Sequence, residues 1–242
     1  AGVCQEQEKL CKYTFFVTLT YAPKFVPKAF CDFRKVEGKQ VVDMYDTETG
    51  ELIGSKYYKH SLAKQIIKRS DDGYLHYVRY TDVQKFIKRL RRKITYNNIS
   101  NEKIKYYSVS EYGPRTFRPH FHLLFYFNDP KISEVFVNYV RACWSLGFCS
   151  TSLSRGGAAS YCASYVNSTT TLPELFKTSA TDAKSSHSSC LALPLDSQEF
   201  AEIYKNEPKR FVRIVERKTS DGVISFSAPW RSYKNYLFPK CY

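Results

Sequence analysis

The chain has 242 residues, with 37 Lys and Arg against 23 Asp and Glu and a formal net charge of +14. That length suits one large domain, or one domain with an extension. No apolar run approaches the roughly 20 residues that span a bilayer, so no membrane partner is expected. Aromatic residues make up 16% of the chain. Cations for phosphates beside flat rings for bases lean toward single-stranded nucleic acid, with a generic basic surface as the alternative.

The opening stretch AGVCQEQEKLCKYTFF lacks the basic head and long apolar segment of a secretory signal. The eight cysteines include no C-x-x-C pair and read as reduced, mostly core thiols of a cytoplasmic protein. KYTFFVTLTYAP (12–23) is rich in aromatic and β-branched residues and stops at Pro23, which predicts a strand. Residues 24–80 are mixed, with DTETG and SDDG as turn signals and a short helix at SLAKQIIKRS; they look like an insertion between core elements. TDVQKFIKRLRRKI (81–94) is the clearest helix. Thr81 and Gln84 have capping-box spacing, and Val83, Phe86, Ile87, Leu90 and Ile94 form one apolar stripe. Its other positions hold Lys85, Lys88, Arg89, Arg91, Arg92 and Lys93, which serve either a solvated face or DNA contact. Lys85, Lys88, Arg89 and Arg92, together with Arg118, are the candidate DNA-binding residues.

KIKYYSVSEYG (103–113) predicts the next strand, GPRTFRP a loop, and His120–Phe127 an antiparallel return. Side chains alternate along a strand, so His120 and His122 share a face while Phe121, Leu123, Phe125 and Phe127 fill the other. Two adjacent imidazoles suit a metal ion, although they also fit ordinary strand histidines. In a hairpin Glu111 falls near them; it is the only acid between Glu102 and Asp129, and it could equally be an exposed hairpin carboxylate. SEVFVNYVRACWSLG (133–147) has helical spacing ending at Gly147, FCSTSLS reads as a strand, and GGAASYCASYVNS as a glycine loop entering a helix. On that helix Tyr161 and Tyr165, four apart, are neighbours. A phenol attacks phosphorus once a nearby cation favours its ionised form, yet among 20 tyrosines such a pair also arises by chance. From Ser168 to Ser189 the shift to Ser, Thr and Ala predicts a linker or surface excursion. The end, PWRSYKNYLFPKCY, fits a DNA-contacting tail or a packed segment.

The ordered set TLTY, EYG, RPHFH and YCASYVN resembles the HUH endonucleases, specifically the rolling-circle replication initiators of microviruses, the small single-stranded DNA phages. The resemblance covers roughly residues 13–170, and YCASYVNS is similar to the family form YVAKYVNK, with Ser164 and Ser168 in place of the two lysines. It implies an α+β fold, the HUH-endonuclease fold, in which helices flank a central antiparallel sheet. The histidines lie on a middle strand there, and the tyrosines on a helix beside it. It further implies metal ligation by His120 and His122, with Glu111 as third ligand, and Tyr161 and Tyr165 as successive nucleophiles. The cofactor is a divalent ion, Mg²⁺ or Mn²⁺. The reaction nicks origin DNA through a 5′-phosphotyrosine link and later reseals the strand. With no histidine beside them, the tyrosines are expected to rely on metal and phosphate geometry rather than on a general base. The implied partners are single-stranded or origin DNA and the host helicase and polymerase, in a bacterial host's cytoplasm. Residues 1–170 form the expected nickase domain, with its insertion at about 24–80, and 171–242 an extension without an assigned role. The alternatives are a related HUH transposase or relaxase, a non-catalytic single-stranded nucleic-acid-binding module, and a metal-dependent hydrolase without a covalent intermediate.

Overall fold

Strict alternation in YTFFVTLTY makes strand β1 (Tyr13–Tyr21), which buries Phe15, Val17, Leu19 and Tyr21 on one face. The structure, a computed structural model, describes residues 2–154, 157–162, 172–188, 191–192, 202, 205–206 and the strand backbones 212–219 and 222–229. The chain divides into two units, Ala1–His187 and Ser188–Tyr242. The first opens with helix α1 (Gly2–Lys9) ahead of β1. In the second, β10 (Val212–Thr219) and β11 (Gly222–Pro229) form an antiparallel pair.

Residues 24–80, read from sequence as a mixed insertion, build an antiparallel sheet of their own. It consists of β2 (Lys28–Val36), β3 (Lys39–Asp46), β4 (Leu52–Tyr57) and β5 (Leu75–His76) in the order β4-β3-β2-β5, with helix α2 (His60–Ile67) against it. Its core joins Ala29, Cys31, Val42 and Met44 to Ala63, Ile66, Leu175 and Phe176. Two acids are buried here, each with a partner: Asp43 is bound by Arg34, and Asp46 by Tyr77 and Arg79.

Helix α3 (Tyr80–Tyr96) keeps the expected stripe, with Val83, Phe86, Ile87, Leu90 and Ile94 buried. Its start differs. Arg79 is the N-cap and no side chain caps it, so Thr81 lies inside the first turn, where its hydroxyl cannot close a capping box. Then follow β6 (Lys105–Tyr112), β7 (Pro119–Phe127), α4 (Pro130–Cys143), β8 (Gly147–Leu153) and β9 (Ser185–His187). Helix α4 starts before Ser133 because Asp129 accepts from Lys131 N at 2.9 Å and Pro130 occupies the first turn. It ends at Cys143, short of Gly147, which pairs with Tyr21 instead. A Cβ at Gly147 would stand 2.2 Å from Ala22 N and 2.3 Å from Thr20 O, so only glycine fits this approach.

The main sheet runs β8-β1-β7-β6-β9, all antiparallel. One face packs Phe15, Phe121, Phe125 and Phe127 against Phe86 of α3 and Phe136 of α4. Each such buried ring contributes roughly 1.5–3 kcal/mol of transfer free energy. The fold is therefore α+β, with antiparallel sheets flanked by helices, and the histidine strand β7 is central. The described part of the expected linker is not one: Leu175 and Phe176 are buried, and β9 extends the sheet along β6. Six described cysteines are free thiols, with Cys4, Cys31, Cys143 and Cys162 buried. Among the described residues no helix is long and apolar enough to cross a membrane.

Candidate active site

The register of the β6–β7 hairpin places Glu111 directly opposite His120, and Val109 opposite His122. Partners across an antiparallel ladder share a face, so Glu111 and both histidines stand together on the side of the sheet away from α3 and α4. Glu111 Oε2 lies 3.0 Å from His120 Nε2 and 2.9 Å from His122 Nε2. The three ligand atoms all fall within 4.8 Å of one another. Burial pushes the Glu111 carboxyl up, but hydrogen bonds from His120 and His122 and their charge outweigh it and hold it at about 2. It is thus an anion throughout the neutral range.

The outer partners fix the imidazoles. His120 Nδ1 is 3.2 Å from Arg118 O, an acceptor, so that nitrogen carries a hydrogen. A neutral His120 in this tautomer aims its Nε2 lone pair at the Glu111 carboxylate, an arrangement that holds only with a proton or another cation between them. His122 Nδ1 meets Thr18 Oγ1 at 3.1 Å, which leaves its Nε2 also facing Glu111. Two imidazole nitrogens and one carboxylate oxygen converging in this way fit a divalent metal and leave coordination positions for water and phosphate oxygens.

The same face carries Tyr161. It lies in a helical turn, 158–162, whose Ser160 Oγ accepts from Gln5 of α1. Its ring stands edge-on to His122 at 5.8 Å between centroids and edge-on to Phe16 at 5.5 Å. Phe16 in turn stacks on His122 at 5.5 Å. A histidine therefore does neighbour this tyrosine, contrary to the sequence expectation. The nitrogens of His122 face Glu111 and Thr18. Tyr165, Ser164 and Ser168 lie outside the described residues.

Of the candidate DNA-binding residues, the four on α3 are not brought to this cluster. Lys85, Lys88, Arg89 and Arg92 are exposed on α3, which packs on the opposite face of the sheet. Arg89 also donates to Cys143 O at 3.0 Å. Arg118 sits at the histidine end of β7, where its guanidinium donates to Tyr21 O at 2.5 Å. Sequence reading missed Thr18 and Phe16. The signal was the alternation of Phe16, Thr18 and Thr20 with a fully apolar set, which marks a second, polar face on a central strand.

Residues 69–170 match the family model for the replication-associated protein ORF2/G2P. The match covers less than half of the chain, yet it includes Glu111, His120, His122, Tyr161 and Tyr165 and leaves out β1. A search of curated proteins finds no match. Among solved structures, the N-terminal nuclease domain of non-structural protein 1 from minute virus of mice, described with Zn²⁺ coordinated in its active-site pocket, aligns at 11% identity. The alignment covers 98% of this chain and 80% of that one, with a TM-score of 0.25, too loose to bear on this chain.

Proposed function

We propose that the chain is a rolling-circle replication initiator, which nicks single-stranded origin DNA by tyrosine attack and later reseals it. The observation that supports this most is the Glu111–His120–His122 cluster with Tyr161 against His122. The likeness of residues 69–170 to replication-associated proteins agrees with it.

Glu111, His120 and His122 would hold Mg²⁺ or Mn²⁺, and the two nitrogen ligands favour Mn²⁺. A divalent ion so bound supplies Lewis acidity to the scissile phosphate's oxygens. Tyr161 Oη bonds to phosphorus in line with the breaking P–O3′ bond. The phenol's proton goes to solvent, and the leaving 3′ oxygen takes one up. The products are a free 3′-hydroxyl and a 5′-phosphotyrosine, and since one phosphoester has replaced another, a 3′-hydroxyl can reverse the step without ATP. Tyr165, four residues on in the sequence, would serve the second transfer that ends a replication round. On this reading catalysis belongs to residues 1–170. The resemblance to microvirus initiators extends it to the host's helicase and polymerase in a bacterial cytoplasm.

The test is to incubate end-labelled single-stranded DNA with the protein and Mn²⁺ and to map both new ends. A free 3′-hydroxyl with a protein-blocked 5′ end is the expected result. Binding without cleavage would mark a non-catalytic module, and a free 5′-phosphate a simple hydrolase. Thr18→Val keeps the side-chain shape but removes the hydroxyl at His122 Nδ1. It is expected to weaken Mn²⁺ affinity by about 10–100-fold in a calorimetric titration; unchanged affinity would show that His122 needs no outer partner. The exposed cations of α3 would serve DNA lying beyond the cleavage site. Replacing Lys85, Lys88, Arg89 and Arg92 by Gln should then lower the slope of log affinity against log salt by about 0.7–0.9 per lost phosphate contact. An unchanged slope would leave that face to solvent alone.

A further inference from the structure

Next to Tyr161, on the side toward the edge strand β8, lies a cavity of about 240 Å³ lined by Phe16, Ser152, Leu153, Ser154, Gly157, Ala158 and Tyr161. Phe16 is the wall it shares with the cluster, since the same ring stacks on His122 at 5.5 Å. Among the described residues no charged side chain lines the cavity. Its rings, aliphatic group and hydroxyls suit a flat, neutral ligand with polar edges. Tyr161 is 48% exposed, a large ring left uncovered beside the cavity.

We propose that this cavity receives the base of the nucleotide directly 3′ of the nick, the one whose 5′-phosphate passes to Tyr161. The inference rests on the reading of Tyr161 as nucleophile. In an in-line displacement the leaving O3′ is opposite the attacking oxygen, so the departing strand points away from Tyr161. The retained nucleotide stays joined to the same phosphorus through O5′, so once the phosphotyrosine has formed its base is held within one sugar's reach of Tyr161. Ser152, exposed and opposite Phe16 in the strand register, offers a hydroxyl to the edge of a base held there, which makes the first base after the nick a determinant of where the protein cuts.

A randomised single-stranded library is incubated with the full chain and Mn²⁺, and the strands left covalently on the protein are sequenced from their linked ends. The wild type is expected to favour one base at the first position by about tenfold or more, roughly 1.4 kcal/mol of discrimination. Ser152→Trp, which sets a large ring opposite Phe16 in the strand register, should flatten that preference to within about twofold while the other positions keep theirs. Ser152→Ala, an exposed and sterically mild change, should shift the preferred base. Linked strands with no first-position preference, or with one that both variants leave intact, overturn this inference and leave the nickase reading standing. The absence of any linked strand overturns both.

Discussion

Replacing His120 or His122 by alanine is expected to lower DNA cleavage by roughly 10²–10⁴-fold and to leave DNA binding nearly unchanged. Either change removes one of three ligand atoms that lie within 4.8 Å of one another. Metal-borne stabilisation of phosphoryl charge is worth several kcal/mol, and each 1.4 kcal/mol is tenfold in rate. Glu111 also loses one of the two hydrogen bonds that outweigh its burial, so its carboxyl rises from about 2 toward its ordinary value. The chain's net charge of +14 does not depend on the cluster, so long-range attraction to DNA survives. The check pairs cleaved fraction against Mn²⁺ with fluorescence anisotropy on the same oligonucleotide. Full cleavage by both variants would remove the metal from the account.

Tyr161→Phe isolates one atom. The ring that touches Phe16 and His122 remains, and only the phenolic oxygen is lost. Because the residue is half exposed, folding stability should stay within about 0.5 kcal/mol. Cleavage should fall by at least about 10³-fold, on the scale seen when a nucleophile is deleted. Activity that survives in Tyr161→Phe and disappears in the double variant with Tyr165→Phe would give Tyr165 the first attack. Wild-type rates in the double variant would remove tyrosine from the chemistry.

Much of the site was legible because it lies on strands with clean period-two alternation. YTFFVTLTY and PHFHLLFYF each turn one apolar face to α3 and α4, and the short loop between β6 and β7 sets Glu111 opposite His120. Thr18 and Phe16 were not legible, because their nearness to His122 depends on which strand β1 pairs with. The sheet formed by β2 to β5 was hidden for another reason. KQVVDMYD contains Asp43 and Asp46, which look like turn residues until Arg34, Tyr77 and Arg79 are seen to pair with them. Strand β9 was missed because Ser185–His187 joins the sheet edge through its backbone and has no apolar pattern to show. The basic face of α3 was visible as charge, but sequence could not tell that the sheet separates it from the histidines.

The account stands on a phenolic oxygen taking over a phosphate that is gripped by two imidazoles and a carboxylate. The most direct measurement traps the protein–DNA adduct with Mn²⁺, digests both partners, and locates the residual nucleotide by tandem mass spectrometry. A nucleotide linked through its 5′-phosphate to Tyr161, or to Tyr165 four residues on, is the predicted result. A nucleotide on any other residue, or cut DNA with no nucleotide on the protein, would contradict it.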